Sequence, residues 1–391
     1  MFTQRALQRL LRLGPCGLAL CLGLITTPLI AQGVGERVLA KLQRADLLDP
    51  YFQHQVAEVA MPLLQARPGR WRGVQVNDRY RSGWVNIYLM DGDRVTEPGL
   101  LDAEGFANVG PGTLQSGAFS HPASDLILLN TAYWKRLVAA TYLTQSGGPR
   151  QLAQAMASVQ AAGLAATEQA WSEATLQQDN QATRFTGLLL RGALAFVLAH
   201  EMGHLDAGPV AAAGGSPGRL LGMDPRSRDE ANACPELNRA ETNARHDVER
   251  AADLFAARLI GQQCRIGDSG SAGYQGTVLG AQWLFTASMS ERLFAMGRSS
   301  ASPVIERALR QLLGDAAYAQ VIAPGRQMGF GVKAAFPDSH PPDVQRMRAF
   351  ELALRSTPCG AAGLDLTQIE LFEMVRAAHC QRLAAGTGGR P

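Results

Sequence analysis

Apolar side chains between Gln32 and Ala66 recur three and four positions apart, at Val38, Leu39, Leu42, Leu47 and Leu48, then at Val56, Val59 and Leu63. That period predicts helix, ended by Pro68-Gly69. From Trp71 to Val95 the pattern changes to Val74, Val76 and a run from Trp84 to Met90, with turn residues at Asp91-Gly92-Asp93. This predicts a hairpin or small sheet. Gly105 to Pro122, rich in Gly, Pro and Ser, reads as loop. The apolar run from Asp125 to Asn130 predicts a short strand, read here as a sheet edge for pairing with an extended peptide, and Tyr133, Leu137 and Val138 predict a helix after it. Arg150 to Arg184, rich in Ala and Gln, predicts a helix or helix pair with a loop at Gln177–Gln181.

The stretch from Gly187 to Ala199 is almost wholly apolar but interrupted by Arg191. It falls short of the roughly 20 residues that a membrane span needs, so it predicts a buried central helix. A Gly-, Pro- and Ala-rich connection from Ala207 to Asn243 follows. His246 to Ile260 is helical in pattern, with Val248, Ala251, Ala252, Phe255, Ala256 and Leu259 on one face. Two more helices are predicted, one through Trp283, Leu284, Met289 and Leu293 and one from Val304 to Leu313, before a disordered tail at 386–391. The expected fold is therefore α+β and mostly α, with a small β section.

The first 31 residues lack acidic side chains and place Arg5, Arg9 and Arg12 ahead of an uncharged run that Thr26-Thr27-Pro28 interrupts. With Ala31 at the end, residues 1–31 read as a signal peptide, and the chain as exported to a periplasm or secreted; an uncleaved anchor helix is the alternative. Cleavage leaves no stable membrane insertion. It also removes three arginines, so that 34 of the 37 basic residues face 34 acidic ones. With no excess charge and no basic cluster interleaved with aromatics, a nucleic-acid partner is not expected.

Of the six cysteines, Cys16 and Cys21 leave with the leader. Cys234, Cys264, Cys359 and Cys380 remain, an even number in an exported chain, and the local pairs Cys234–Cys264 and Cys359–Cys380 are the favoured disulfides. Four buried free thiols are the alternative. None of them shows Cys-x-x-Cys spacing, which argues against a cysteine zinc site.

The apolar run closes on His200-Glu201-Met202-Gly203-His204. Residues four apart share a helix face, so His200 and His204 can aim their imidazoles at one point. Two neutral imidazoles at that spacing suit Zn²⁺, and Glu201 can act as general base on a metal-bound water. A catalytic zinc needs a third protein ligand. Glu249 can supply it, and Asp253, one turn on, can accept the remaining N–H of a zinc-bound histidine. His246, one turn before Glu249, is a rival ligand, and a solvated helix face with Arg250 and Arg258 is the bland reading of Glu249 and Asp253.

His200-Glu-Met-Gly-His204 followed by Glu249-Arg-Ala-Ala-Asp253 resembles the M48 (Ste24/HtpX/Oma1-like) family of gluzincin metallopeptidases, in its soluble exported branch. A late segment, Ser339-His340-Pro341 with Arg346, resembles the family's His-Pro-x-x-x-x-Arg motif. The resemblance spans about Phe119 to Leu354. It implies a zincin-like fold over 119–385, one Zn²⁺ held by His200, His204 and Glu249, and Glu201 as base. It further implies His340 as transition-state stabiliser or as a loop-borne ligand blocking the open position, and Arg346 organising the site. Residues 32–118 fall outside the resemblance and are set apart as an N-terminal helical and β region. The expected activity is hydrolysis of peptide bonds, with a peptide or unfolded protein as substrate. A metal-binding chaperone-like protein with a blocked site, or a structural zinc protein without turnover, is the alternative.

Overall fold

In the computed structural model the described residues are 33–106, 117–144, 151–159, 169, 172, 181–213, 239–263, 270–299, 303–322 and 343–357. The leader, all four mature cysteines, His340 and the tail lie outside them. Helices dominate, joined by one four-stranded sheet. Helix α1 covers 33–44 and α2 covers Gln53–Gln65. The strands are β1 (Val74–Val76), β2 (Val85–Met90), β3 (Ala118–His121) and β4 (Leu126–Asn130). They are followed by α3 (Thr131–Leu143), α4 (151–159), α5 (Gln181–Ala213), α6 (Arg239–Gln263) and α7 (Gly270–Ser299), then α8 (Pro303–Leu313), α9 (Asp315–Val321) and α10 (Asp343–Arg355).

The strand order is β1-β2-β4-β3, with β1, β2 and β4 parallel and β3 antiparallel to β4. Three expectations are corrected here. Of the hairpin or small sheet expected from Trp71 to Val95, the sheet is what forms and the hairpin is not, because β1 and β2 run parallel, Val74 against Val85. Their short connection is closed by side chains: Asn77, left-handed at φ 52°, accepts from Leu89 N at 2.8 Å, and Asn86 donates to the carbonyls of Trp84 and Arg81. The segment Gly105–Pro122 contains a strand, β3. And β4 is interior, paired with β2 on one side and β3 on the other, so among the described residues the edges are β1 and β3. The unbroken apolar run of β4 follows from burial on both faces.

Pleating sends alternate side chains to two cores. Val85, Ile87, Leu89, Ile127 and Leu129 pack with α2, α3 and the later helices. Tyr88, Met90, Leu126 and Leu128 pack on Val38, Leu39 and Leu42 of α1. The boundary expected between residues 118 and 119 falls inside β3, and both the sheet and the larger core cross it.

Helix α5 is the centre. Every residue from Gly192 to Gly203 is buried, which fits a helix apolar on all sides. Its segment Thr186–Ala207 is long and apolar enough to cross a membrane, yet 78% of its most apolar stretch is packed inside the protein. Against α7 it approaches to backbone contact, since a Cβ on Gly192 would lie 2.1 Å from the Gly276 carbonyl oxygen. Helix extends to Ala213 and resumes at Arg239, into the connection expected from 207 to 243.

Candidate metal centre

His200 and His204 project from α5 towards α6, and their Nε2 atoms lie 3.1 Å apart. From α6, Glu249 brings Oε2 to 3.2 Å from His200 Nε2 and 3.4 Å from His204 Nε2. The three form a buried group that could hold a metal ion. Glu201, between the histidines in sequence, is 7% exposed. His246 lies on the same helix as Glu249, but its side chain is not among those described. The solvated-face reading of α6 fails, because Glu249 is 7% exposed and Asp253 not at all. Both sit in the buried sector with Ala252, Ala256 and Ile260, whereas Ala251, expected on the apolar face, is exposed.

Outside the three donors, Asp253 Oδ1 lies 2.8 Å from His200 Nδ1. Arg346, from α10, grips the same carboxylate with two bonds, Nη2 to Oδ1 at 2.8 Å and Nε to Oδ2 at 2.9 Å. This fork geometry matches both carboxylate oxygens. Burial pushes the Asp253 carboxyl up, but the Arg346 charge and hydrogen bonds, with His200, hold it well below the usual carboxylate range. Burial likewise opposes charge on His200, yet Asp253, aided by a hydrogen bond to Glu249, raises the imidazole to about 9. With a carboxylate Oδ1 against Nδ1, the N–H belongs there and Nε2 is left to face the other two donors.

A wall of rings supports the pair. Phe196, one turn before His200, packs on the imidazole at 6.1 Å, on Phe285 at 5.0 Å and edge-on to Phe350 at 4.9 Å. The Arg346 guanidinium lies 5.4 Å from the Phe285 ring centre. Helices α5 and α6 meet where side chains vanish: a Cβ on Gly203 would stand 3.0 Å from Ala252 Cα and 3.2 Å from its carbonyl oxygen. Gly203 and the aromatic wall were not singled out from the sequence. The small residues Gly203, Ala252 and Ala256 were the available signal for a close helix crossing, since only small side chains permit one.

Edge strand β3 and the turn Pro122–Ser124 after it pack on α5. His121, at the end of β3, places Nδ1 2.8 Å from Ser124 Oγ, and burial lowers its pKa. Of the residues expected at the site, His200, His204, Glu249, Asp253 and Arg346 come together from three helices. No family model, curated protein or solved structure matches this chain.

Proposed function

We propose that this protein is an exported zinc endopeptidase of zincin-like fold that hydrolyses peptide bonds in extended or unfolded protein. The observation that carries the reading is the convergence of His200 Nε2, His204 Nε2 and Glu249 Oε2 at 3.1–3.4 Å. A tetrahedral Zn²⁺ with bonds of about 2.0–2.2 Å requires ligand atoms roughly 3.3–3.5 Å apart. Two imidazoles and one carboxylate match zinc's taste for nitrogen, whereas Ca²⁺ and Mg²⁺ favour all-oxygen shells. The M48-like motifs point the same way.

Bound there, zinc would supply Lewis acidity and lower the pKa of a water in its open position. The chain's own groups do the rest. Asp253 fixes the His200 tautomer, and Arg346 keeps Asp253 ionised. Glu201 would take the proton from the attacking water and pass it to the leaving amine. His340 would hydrogen-bond the developing oxyanion, a role that rests on the motif resemblance alone. β3, an edge of the sheet among the described residues, would supply the strand along which an extended peptide aligns beside α5.

The test is hydrolysis of an unfolded protein with zinc content measured in parallel. Wild type is expected to hold one zinc per chain and to cut. Glu201→Gln should keep the zinc and lose about 10²–10⁴-fold in rate, while His200→Ala or His204→Ala should lose the metal. Zinc-loaded wild type without turnover would leave a binding protein, and a metal-free active enzyme would end the zinc reading.

A further inference from the structure

The loop leaving α2 reaches the metal helix immediately past its second histidine. Arg70 donates from Nη2 to the Leu205 carbonyl at 3.3 Å and to Asp125 Oδ1 at 3.0 Å, and its Nε lies 4.0 Å from Asp206 Oδ1. Arg67 joins it, with Nη2 3.2 and 3.3 Å from the two Asp206 oxygens. The Arg70 guanidinium lies 4.9 Å from the Trp71 ring centre, and Trp71 Nε1 donates to Asp125 Oδ1 at 2.9 Å.

Leu205 is fully buried and directly follows His204. Its carbonyl is available for a reason written four residues on. Within a helix that carbonyl takes the N–H of residue 209, and here that residue is Pro209, which has none. A buried carbonyl left without a donor is costly. Arg70 supplies the missing donor from outside the helix. The same guanidinium holds Asp125, left-handed at φ 46°, at the entry to β4.

We propose that Arg70 is a positioning residue for the metal centre. It fixes the α5 backbone at Leu205, and with it His204, by making the hydrogen bond that Pro209 cannot, and it ties that point to the sheet. The inference rests on the metal-site reading above and gives part of the segment 32–118 a role in it.

The test uses the full chain, with Zn²⁺ affinity measured by competition with a chromogenic chelator and ligand geometry read from the visible absorption of Co²⁺-loaded protein. Arg70→Ala should weaken Zn²⁺ binding about tenfold and change the Co²⁺ band. Arg70→Lys keeps the charge without the fork and should recover only part of the loss. Pro209→Ala returns an intrahelical donor to Leu205, so in that background the loss from Arg70→Ala should shrink to under about twofold. An equal loss in both backgrounds overturns the proposal, as does an unchanged affinity and spectrum in Arg70→Ala. Should Arg70→Ala fail to fold, Arg70→Lys with and without Pro209→Ala decides by the same comparison. A wild-type chain that binds neither Zn²⁺ nor Co²⁺ overturns the metal-site reading and this proposal with it, whereas the other outcomes leave that reading standing.

Discussion

Arg346 and Asp253 are both buried and hold each other out of water, 93 positions apart in the chain. Removing one partner of such a pair strands a charge in the interior. Arg346→Met is therefore expected to cost about 3–5 kcal/mol of unfolding free energy, and adding Asp253→Asn should restore much of it. Urea denaturation of the two variants checks this; a double variant no better than the single would refute the coupling. His200 makes a second prediction at this scale. Its pKa of about 9 lies above the ordinary 6.5, so the metal-free fold holds it protonated between those values. The stability from that proton is complete below about pH 6.5 and is lost as pH rises through 9. A zinc ligand must be neutral, so zinc uptake at pH 7.5 should release about one proton, declining towards none above pH 9. Calorimetry in buffers of differing ionisation enthalpy measures it, and a heat at pH 7.5 that does not vary with the buffer would count against the assignment.

Elements meet here through missing side chains. A Cβ on Gly280 of α7 would lie 2.3 Å from Ala193 N and 2.4 Å from the Gly192 carbonyl carbon, both backbone atoms of α5 that cannot turn aside. Gly187, on the same α5, would meet nothing within 4 Å. Gly280→Ala should destabilise by about 1–3 kcal/mol or more, while Gly187→Ala should stabilise by about 0.5–1 kcal/mol through helix propensity. Thermal melts of the pair separate the crossing from propensity, and two equal shifts would show that the contact does not govern. Gly276 and Gly280 stand four apart, on one face of α7. Which helix they face is decided by tertiary packing alone.

Across the whole molecule, the sheet decides what counts as one unit. β4 lies between β2 and β3, so a chain beginning at residue 119 lacks the partner of five β4 residues and all of α1 and α2. It would also expose Ile127, Leu129 and Leu128, which the N-terminal segment helps to cover. That fragment is expected to show no cooperative urea transition by circular dichroism, whereas residues 33–391 should. A cooperative fold for the fragment would support the division at 118.

The helical elements and the spacing of the candidate metal residues were legible in the sequence because both are local. Residues four apart share a face whatever the helix packs against, so His200 with His204 and Glu249 with Asp253 could be paired from their numbers alone. A continuous apolar run also tells of burial, and β4 is buried on both faces, but its place between β2 and β3 rather than at an edge is set by pairing with distant strands. Strand order, the parallel pairing of β1 with β2 and the burial of Glu249 depend on contacts between distant segments, which no local period encodes. The bond from Arg70 to the carbonyl that Pro209 leaves open combines the two: the proline was plain in the sequence, and only tertiary packing brought the arginine to it.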